Sequence, residues 1–171
     1  MIVGLVGPSC SGKSFLLGVL QSELGFTVPK GITTRSAREK DNGDLEHITR
    51  NEFQRRQCRG MLSMIAEVFG NSYAYPRLEI NGLDIAIEIV KENIPELRLC
   101  RGIAVKVIPY NLDDGIGRIV QMRKDRTKER IAEFVTECLD TDSLCFDLVF
   151  RNKYNDESRL EFIGLIKGLR S

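Results

Sequence analysis

The sequence contains few of the residues that build metal centres and disulfide frameworks. Its 171 residues include one histidine, His47, and five cysteines, an odd number without a C-x-x-C pair. These cysteines are Cys10, Cys58, Cys100, Cys138 and Cys145. A structural zinc site needs clustered cysteines and histidines, and a disulfide scaffold needs paired cysteines. The composition therefore excludes both, and it predicts a protein of a reducing compartment.

Long apolar runs and an excess of charge of either sign are also missing. No apolar run approaches the length that crosses a bilayer, and the first residues do not have the pattern of a cleavable leader. The 25 basic and 24 acidic residues leave a formal net charge of +1, which predicts neither a basic surface for nucleic acid nor an acidic tail. We therefore expect a cytoplasmic protein that binds neither membranes nor nucleic acid.

Strand and helix patterns alternate along the chain, which is typical of an α/β fold with a parallel sheet flanked by helices. The length and the 42% content of hydrophobic residues fit one domain, residues 1–171, with a sizeable core. Strands are predicted over residues 1–6, 103–108 and 146–150. Helices are predicted over residues 12–24, over residues 50–59 after a Thr49 cap, and over residues 83–93. Residues 112–139 are predicted to form two helices with a break near residues 123–127. The last predicted helix covers residues 155–169, and its inward side chains are Leu160, Ile163, Ile166 and Leu169.

The segment from Gly7 to Ser14 has the spacing G-x-x-x-x-G-K-S and follows the apolar run of residues 1–6. Between a strand and a helix, this spacing predicts a P-loop, whose backbone N–H groups bind phosphate oxygens. Lys13 would reach the β- and γ-phosphates as a catalytic residue, and the Ser14 hydroxyl would ligate Mg²⁺. The motif thus predicts a P-loop NTPase fold that uses ATP and Mg²⁺. The predicted nucleotide-binding residues are Gly7, Ser9, Cys10, Ser11, Gly12, Lys13, Ser14 and Phe15.

Cys10 lies in the middle of this loop, which leaves two interpretations open. It is either a tolerated small residue or a thiol whose deprotonated form is favoured by the neighbouring positive charge and N–H dipoles. The second interpretation makes Cys10 oxidisable when no nucleotide shields it.

Arg35 and Arg38 form a second group of chemically active residues. Two guanidinium forks three residues apart can converge on one phosphate. From this segment onward the sequence resembles the guanylate kinases, and the similarity extends from the P-loop to the last predicted strand. By that resemblance, Arg35, Arg38 and Tyr73 bind the phosphate of an acceptor, and the acceptor-binding insertion covers residues 31–80. The matching segments are Ile32 to Arg38, Glu52-Phe53, Ala66 to Tyr73 and Phe146 to Asn152.

Two positions differ from the residues with which guanylate kinases bind the base. Met64 stands where they have a glutamate, and Tyr75 where they have a small hydroxyl residue. The pair Glu46-His47 and the spacing Tyr73-x-x-Pro76 are instead similar to ribose 1,5-bisphosphate phosphokinases, and this resemblance implies a sugar phosphate as the acceptor. Tyr75 and His47 are predicted substrate contacts, although a structural hydrogen bond is an alternative for His47.

A third group of basic residues covers about residues 118–130, where nucleoside monophosphate kinases have a mobile lid. It consists of Arg118, Arg123, Lys124, Arg126, Lys128 and Arg130. Positioned arginines stabilise the charge that develops during phosphoryl transfer. Arg126 and Arg130 are therefore predicted to be catalytic, with Arg123 as an alternative to Arg126. Glutamates at helical spacing also allow a solvated face of ion pairs.

Together these motifs predict an ATP-dependent phosphotransferase whose partner is a small phosphorylated acceptor. A nucleoside or deoxynucleoside monophosphate is the first choice. The alternatives are a ribose 1,5-bisphosphate phosphokinase and a guanylate kinase-like binding module without turnover. Asp84, near the expected end of the third strand, is predicted either to orient the Mg²⁺ hydration shell or the acceptor, or to cap the next helix.

Overall fold

The computed structural model describes residues 1–38, 43–78, 82–122, 127–139 and 145–170. The strands are β1 (Ile2–Val6), β2 (Gly31–Thr33), β3 (Leu45–His47), β4 (Leu62–Val68), β5 (Asn71–Pro76), β6 (Ile85–Glu88), β7 (Ile103–Pro109) and β8 (Leu148–Asn152). The helices are α1 (Lys13–Leu24), α2 (Arg50–Cys58), α3 (Ile94–Leu99), α4 (Leu112–Met122), α5 (Thr127–Leu139) and α6 (Asp156–Gly168). A helix of the length and apolar character needed to cross a bilayer does not occur in these ranges.

The central sheet has the strand order β6-β1-β7-β8, and all neighbouring strands are parallel. β1 is buried along its whole length, as expected for a strand covered by helices on both faces. One face packs on α1 and α6 through Leu16, Leu20 and Phe162. The other face packs on α3 through Leu97. The predicted α/β fold with a parallel sheet flanked by helices is therefore confirmed.

A second sheet lies between α1 and β6 in the chain and has the order β3-β2-β5-β4. β5 runs antiparallel to both of its neighbours, whereas β2 and β3 are parallel. α2 covers one face of this sheet, where Phe53 packs against Ile32 and Ala74. Thr49 caps α2 by accepting a hydrogen bond from the Glu52 amide, as the sequence predicted.

The helix predicted over residues 83–93 is wrong, because the structure has strand β6 there, followed by a single 3₁₀ turn at Lys91–Asn93. Ile85, Ala86 and Ile87 are buried, and β6 pairs with β1 at one end of the strand order of the central sheet. A short, continuously apolar run of this kind has no clear period, so a buried strand and a buried helix cannot be distinguished by spacing alone.

The other elements were placed well, with differences at their ends. The predicted strand over 146–150 is β8, which begins two residues later, and two helices, α4 and α5, occur within residues 112–139 as predicted. Most of the predicted break, residues 123–126, lies outside the described residues. In α6, Ile163 and Ile166 are buried as predicted, but Leu160 and Leu169 are exposed at 59% and 38%. Phe162 takes their place in the core, because α6 turns a different face to the sheet than predicted.

Candidate active site

The loop between β1 and α1 has a backbone that requires glycine at two positions. Gly7 and Gly12 have φ angles of 146° and 98°, which L-residues with side chains rarely adopt. A Cβ atom on Gly7 would lie 2.1 Å from the Val107 carbonyl oxygen, and one on Gly12 would lie 2.3 Å from Nδ2 of Asn152. The P-loop glycines therefore give both the turn and a close approach to neighbouring strands.

The N-terminus of α1 is suited to an anion. The N-cap Gly12 has no side chain to satisfy the first amide groups of the helix, and the first turn carries no acidic residue. Such amide groups and the positive end of the helix dipole bind phosphate. This geometry fits the phosphate tail of a nucleotide.

Lys13 is the first residue of α1, and its side chain is 7% exposed. Its ammonium donates hydrogen bonds to the carbonyl oxygens of Gly7 at 2.6 Å and Pro8 at 2.7 Å. The same nitrogen lies 3.4 Å from a carboxylate oxygen of Glu88, and the Ser14 hydroxyl donates to the other oxygen of that carboxylate at 3.4 Å. Lys13, Ser14 and Glu88 therefore meet at one point beside the N-terminus of α1.

Glu88, the last residue of β6, was not among the residues predicted to form the site. The carboxyl ends of neighbouring parallel strands lie at one edge of a sheet, so Glu88 is brought to the same edge as the P-loop that follows β1. Its side chain is 41% exposed and therefore accessible to a ligand. An acidic residue directly after the buried run of residues 85–87 is the signal that could have identified it, but those residues were assigned to a helix.

Asp84 lies at the opposite end of β6. Its carboxylate accepts hydrogen bonds from the Met1 ammonium at 2.7 Å and from Arg170 at 2.5 Å. The hydrogen bond from the ammonium, together with the charge of Arg170, lowers the pKa of Asp84. The predicted roles of Asp84 beside Mg²⁺ or as a helix cap are wrong, because the residue is far along the strand from the P-loop and precedes a strand.

Residues at the end of β8 and just after it bind the backbone of the P-loop. Asn152 is 3% exposed, and its Nδ2 donates to the Ser11 carbonyl oxygen at 3.0 Å. Tyr154 donates through its hydroxyl to the Cys10 carbonyl oxygen at 3.1 Å, and the Arg118 guanidinium lies 3.9 Å from the centroid of the Tyr154 ring. Burial raises the pKa of Tyr154 to about 12, so its hydroxyl keeps the proton that it donates.

The face of the second sheet opposite α2 carries Thr33, Tyr73 and Tyr75. Thr33 and Tyr73 are direct partners on β2 and β5, and Tyr75 shares their face because side chains alternate along a strand. Arg35 lies two residues beyond the last residue of β2, and its amide donates to the Thr33 hydroxyl at 3.1 Å. Arg38 is exposed and close to the end of the first described range. Of the predicted acceptor contacts, Tyr73 thus lies on β5, and Arg35 lies just beyond the end of the neighbouring strand β2.

The sequence neighbours Glu46 and His47 have separate partners. His47 Nδ1 lies 2.7 Å from the Arg35 carbonyl oxygen, so this nitrogen carries the proton and donates. Both carboxylate oxygens of Glu46 accept from Arg56, at 2.8 Å and 3.0 Å, and this hydrogen bonding lowers the pKa of Glu46. His47 therefore holds the backbone of Arg35, whereas Glu46 ties β3 to α2.

Met64 and Tyr75 stand at the two positions with which guanylate kinases bind the base, and both make contacts within the protein. Met64 is 2% exposed and packs among core residues of the central sheet such as Ile2 and Val6. The Tyr75 hydroxyl donates to the Glu88 carbonyl oxygen at 3.1 Å and accepts from the Glu88 amide at 3.0 Å. The Tyr75 hydroxyl thus already has two backbone partners, and its contact with a substrate stays a prediction.

Helix α5 carries charges of both signs, and two of its glutamates interact electrostatically with Lys13 of the P-loop, so we refer to it as the lid helix. Arg130 is 8% exposed, and its guanidinium lies 4.6 Å from the centroid of the Phe69 ring at the tip of the β4–β5 hairpin. Burial raises the pKa values of Glu133 and Glu137, and the charge of Lys13 acts against this effect at both carboxylates. Arg126, the other predicted catalytic arginine, and its alternative Arg123 lie outside the described residues.

Comparison with known proteins finds guanylate kinases among both the similar sequences and the similar structures. The chain is 27% identical over 148 residues to guanylate kinase from Clostridium acetobutylicum, covering 78% of this chain and 68% of that protein. It is 31% identical over 135 residues to guanylate kinase from Lactococcus lactis, covering 70% of this chain and 63% of the relative. Guanylate kinase from Anaplasma phagocytophilum superposes with a TM-score of 0.71 at 21% identity, over 98% of this chain and 85% of that one. No protein-family model matches the chain.

A P-loop at the carboxyl end of β1, an inserted second sheet and a lid helix with charges of both signs define a P-loop NTPase fold of the α/β class. The structural similarity to guanylate kinase supports the same fold. The chain is therefore similar to guanylate kinases in sequence and in fold, and these similarities indicate a phosphotransferase of the nucleoside monophosphate kinase type.

Proposed function

We propose that the chain transfers the γ-phosphoryl group of ATP to the phosphate of a small acceptor, most directly a nucleoside or deoxynucleoside monophosphate. The observation that carries this proposal is the meeting of Lys13, Ser14 and Glu88 within 3.4 Å beside the N-terminus of α1. These residues supply a cation, a hydroxyl ligand and a carboxylate at the place where the P-loop amides would bind the donor phosphates.

The residues of this cluster also fit a magnesium ion. Mg²⁺ prefers oxygen ligands and keeps several waters, and the Ser14 hydroxyl and Glu88 carboxylate are oxygen donors next to the phosphate-binding amides. When bound, Mg²⁺ would neutralise charge on the β- and γ-phosphates. Glu88 would hold water molecules of the ion, and Lys13 would contact the phosphate oxygens that gain charge during transfer.

The acceptor would lie against the Tyr73 face of the second sheet. Arg35, Arg38 and Tyr73 would hold its phosphate by charge and hydrogen bonds. The hydrogen bond from His47 to the Arg35 carbonyl fixes the backbone from which the Arg35 guanidinium extends. One acceptor oxygen then forms a bond to the γ-phosphorus as the bond to the β-phosphate oxygen breaks and ADP leaves. An acceptor that is already an oxyanion needs no strong base, so positioning is the main requirement.

The lid helix would complete the site. Arg130 is buried on this helix and charged, and the predicted Arg126 would act beside it on the charge that spreads over the transferred phosphoryl oxygens. Closure of the lid helix over the P-loop would exclude water, which is the competing nucleophile.

A sugar phosphate is the second candidate for the acceptor, and Met64 and Tyr75 favour it. Met64 is buried in the core, and the Tyr75 hydroxyl is bound to the Glu88 backbone. Neither residue offers an uncommitted polar atom to the edge of a base, although a base-specific site needs such atoms. A ribose 1,5-bisphosphate acceptor would need only the phosphate contacts and sugar hydroxyl contacts. The third possibility is a module that binds nucleotides without turnover.

An acceptor panel separates the three possibilities. The protein is incubated with MgATP and with nucleoside monophosphates, deoxynucleoside monophosphates or ribose 1,5-bisphosphate, and ADP formation is followed. We expect turnover with one class, and we expect Lys13→Ala to abolish it while the melting temperature stays within a few degrees. ATP binding without turnover on any acceptor would identify the binding module, and no ATP binding at all would refute the proposal.

β6 provides a matched pair of carboxylate variants for the role of Glu88. Glu88→Gln removes the charge beside Lys13 and Ser14, so we expect kcat to fall by about 10²-fold. Asp84→Asn changes a carboxylate at the other end of the same strand, where it binds Arg170. We expect this variant to keep full activity, and equal losses in both variants would assign the effect to the strand rather than to the site.

A further inference from the structure

The hydroxyl of Tyr75 holds both polar backbone groups of Glu88. It accepts from the Glu88 amide at 3.0 Å and donates to the Glu88 carbonyl oxygen at 3.1 Å. β5 belongs to the second sheet and β6 to the central sheet, so these bonds join the two sheets at one residue. That residue is the one whose carboxylate meets Lys13 and Ser14.

The chemical state of Tyr75 suits this connection. Burial and the nearby Glu88 carboxylate raise the pKa of Tyr75 well above its ordinary value. The phenol therefore stays protonated over the whole physiological range and can donate and accept at the same time. A hydrogen-bonded phenol that is largely removed from water is a rigid anchor, because the loss of either bond leaves a buried polar group without compensation.

Glu88 needs such an anchor because of its place in the fold. It is the last residue of β6, and Ile89 and Val90 lead out of the strand to the 3₁₀ turn. Within the strand, the Glu88 position is paired with Leu5 of β1 on one side only. On its other side, the Tyr75 hydroxyl takes the place of a neighbouring strand for the amide and carbonyl of Glu88. The direction of the carboxylate therefore depends on Tyr75.

We propose that Tyr75 is a positioning residue, which aims the Glu88 carboxylate at Lys13 and Ser14 and couples the acceptor-facing sheet to the phosphate-binding loop. The proposal rests on the function proposed above for Glu88. It assigns Tyr75 an effect on the donor side of the site, although the residue lies on the face that carries the acceptor contact Tyr73. Movement of β5 on acceptor binding would in this way shift the Glu88 carboxylate beside the P-loop.

The matched pair Tyr75→Phe and Tyr73→Phe tests this assignment. Each variant removes one hydroxyl from the same face of the same strand. For Tyr75→Phe we expect kcat to fall about tenfold, the half-saturating Mg²⁺ concentration to rise several-fold, and the KM for the acceptor to stay within about twofold. For Tyr73→Phe we expect the opposite split, a raised acceptor KM with an unchanged Mg²⁺ dependence.

Two further measurements do not depend on turnover. Amide hydrogen exchange in the substrate-free protein should be at least about tenfold faster at Glu88 in Tyr75→Phe, and unchanged there in Tyr73→Phe. Calorimetry of ATP binding should find that Mg²⁺ strengthens binding less in Tyr75→Phe than in the parent protein. In the Glu88→Gln background, Tyr75→Phe should have no further effect on kcat, because the two residues act through one carboxylate.

The outcomes distinguish this proposal from the proposed function. If the panel finds no turnover, the proposed function fails, while exchange at Glu88 and the Mg²⁺ effect on ATP binding still decide the role of Tyr75. A raised acceptor KM in Tyr75→Phe, with unchanged exchange at Glu88, would make Tyr75 a substrate contact and overturn the positioning role. Unchanged exchange, Mg²⁺ dependence and kcat would overturn it as well.

Discussion

The Arg130 guanidinium lies over the Phe69 ring, with its Cζ atom 4.6 Å from the ring centroid. Arg130 is on the lid helix, and Phe69 is at the tip of the β4–β5 hairpin, where Arg50 also donates to the Gly70 carbonyl oxygen. The stack holds the Arg130 side chain, which is 8% exposed, between the lid helix and the β4–β5 hairpin. A cation over an aromatic face is held in place without the loss of its hydrogen-bonding edges.

The first prediction concerns this stack. Phe69→Leu removes the aromatic face but keeps an apolar side chain, so we expect Arg130 to be less well placed and kcat to fall about 3- to 30-fold. The KM for ATP should change little, because the P-loop is untouched. Phe69→Tyr keeps the ring and should retain most of the activity. Steady-state kinetics of the three proteins decide the matter, and equal losses in the Leu and Tyr variants would contradict the stacking role.

The second prediction concerns the glycine before α1. In Gly12→Ala, a Cβ atom would meet Asn152 Nδ2 at 2.3 Å and the residue would need a φ of 98°. We expect a destabilisation of about 1–3 kcal/mol and a loss of ATP affinity of more than about tenfold.

Gly18→Ala is the control for this substitution. Gly18 lies inside α1, and an added Cβ atom there meets nothing within 4 Å. Alanine is the better helix former, so we expect a gain of about 0.5–1 kcal/mol and unchanged ATP binding. Urea unfolding and calorimetry measure both quantities. A Gly12→Ala protein that binds ATP like the parent would refute the requirement for glycine.

The sequence predicted those parts of the site that are defined by particular residue types at a fixed local spacing. The P-loop could be found because Gly7, Gly12 and Lys13 lie close together in the sequence, in one turn and at the start of one helix. At each of these positions the phosphate-binding function requires that particular residue type for a physical reason. Glu88 could not, because its importance comes from the pairing of β6 with β1, which connects residues about 80 positions apart. The apolar run before it has no period that separates strand from helix.

Contacts between distant segments also explain the remaining differences. The bond of Tyr75 to the Glu88 backbone crosses from one sheet to the other, so the sequence suggested a substrate contact instead. Asp84 was expected at the end of a strand, as an active-site carboxylate or a helix cap, because residues 83–93 were predicted to form a helix, whereas Asp84 precedes β6. The exposed side chain of Leu160 has a similar cause, since the face that α6 turns inward is fixed by Phe162 and its contact with Phe150.

The third prediction concerns the clamp between β8 and the P-loop. Asn152→Asp keeps an acceptor for the Tyr154 amide but replaces the donor to Ser11 by an oxygen and adds negative charge near the phosphate site. We expect ATP affinity to fall at least about tenfold and stability to fall by about 1–3 kcal/mol.

Asn155→Ala controls for the loss of stability alone. Asn155 caps α6 by accepting from the Ser158 amide at 2.9 Å, so we expect a cost of about 1 kcal/mol. Its ATP affinity should equal that of the parent protein. Calorimetry and urea unfolding on both variants separate the two effects, and a similar ATP affinity in Asn152→Asp and the parent would disprove the clamp.

The fourth prediction concerns acid stability and starts from Glu52 in α2. Hydrogen bonds from Arg55, at 2.6 Å, and Arg56, at 2.8 Å, lower the pKa of Glu52 from 4.5 to about 2. A group whose pKa is lowered in the folded state binds its proton more readily when the chain is unfolded. Its contribution to stability is therefore complete above pH 4.5, and it is lost as the pH falls from 4.5 towards about 2.

Glu52→Gln removes the ionisable group but keeps the backbone amide that the Thr49 hydroxyl caps. We therefore expect the free energy of unfolding of this variant to fall less steeply between pH 4.5 and pH 2 than that of the parent protein. Arg55→Gln should instead move the pKa of Glu52 back towards 4.5, which an NMR titration of the carboxylate can follow. An equally steep loss of stability in Glu52→Gln and the parent would place the acid sensitivity at other carboxylates.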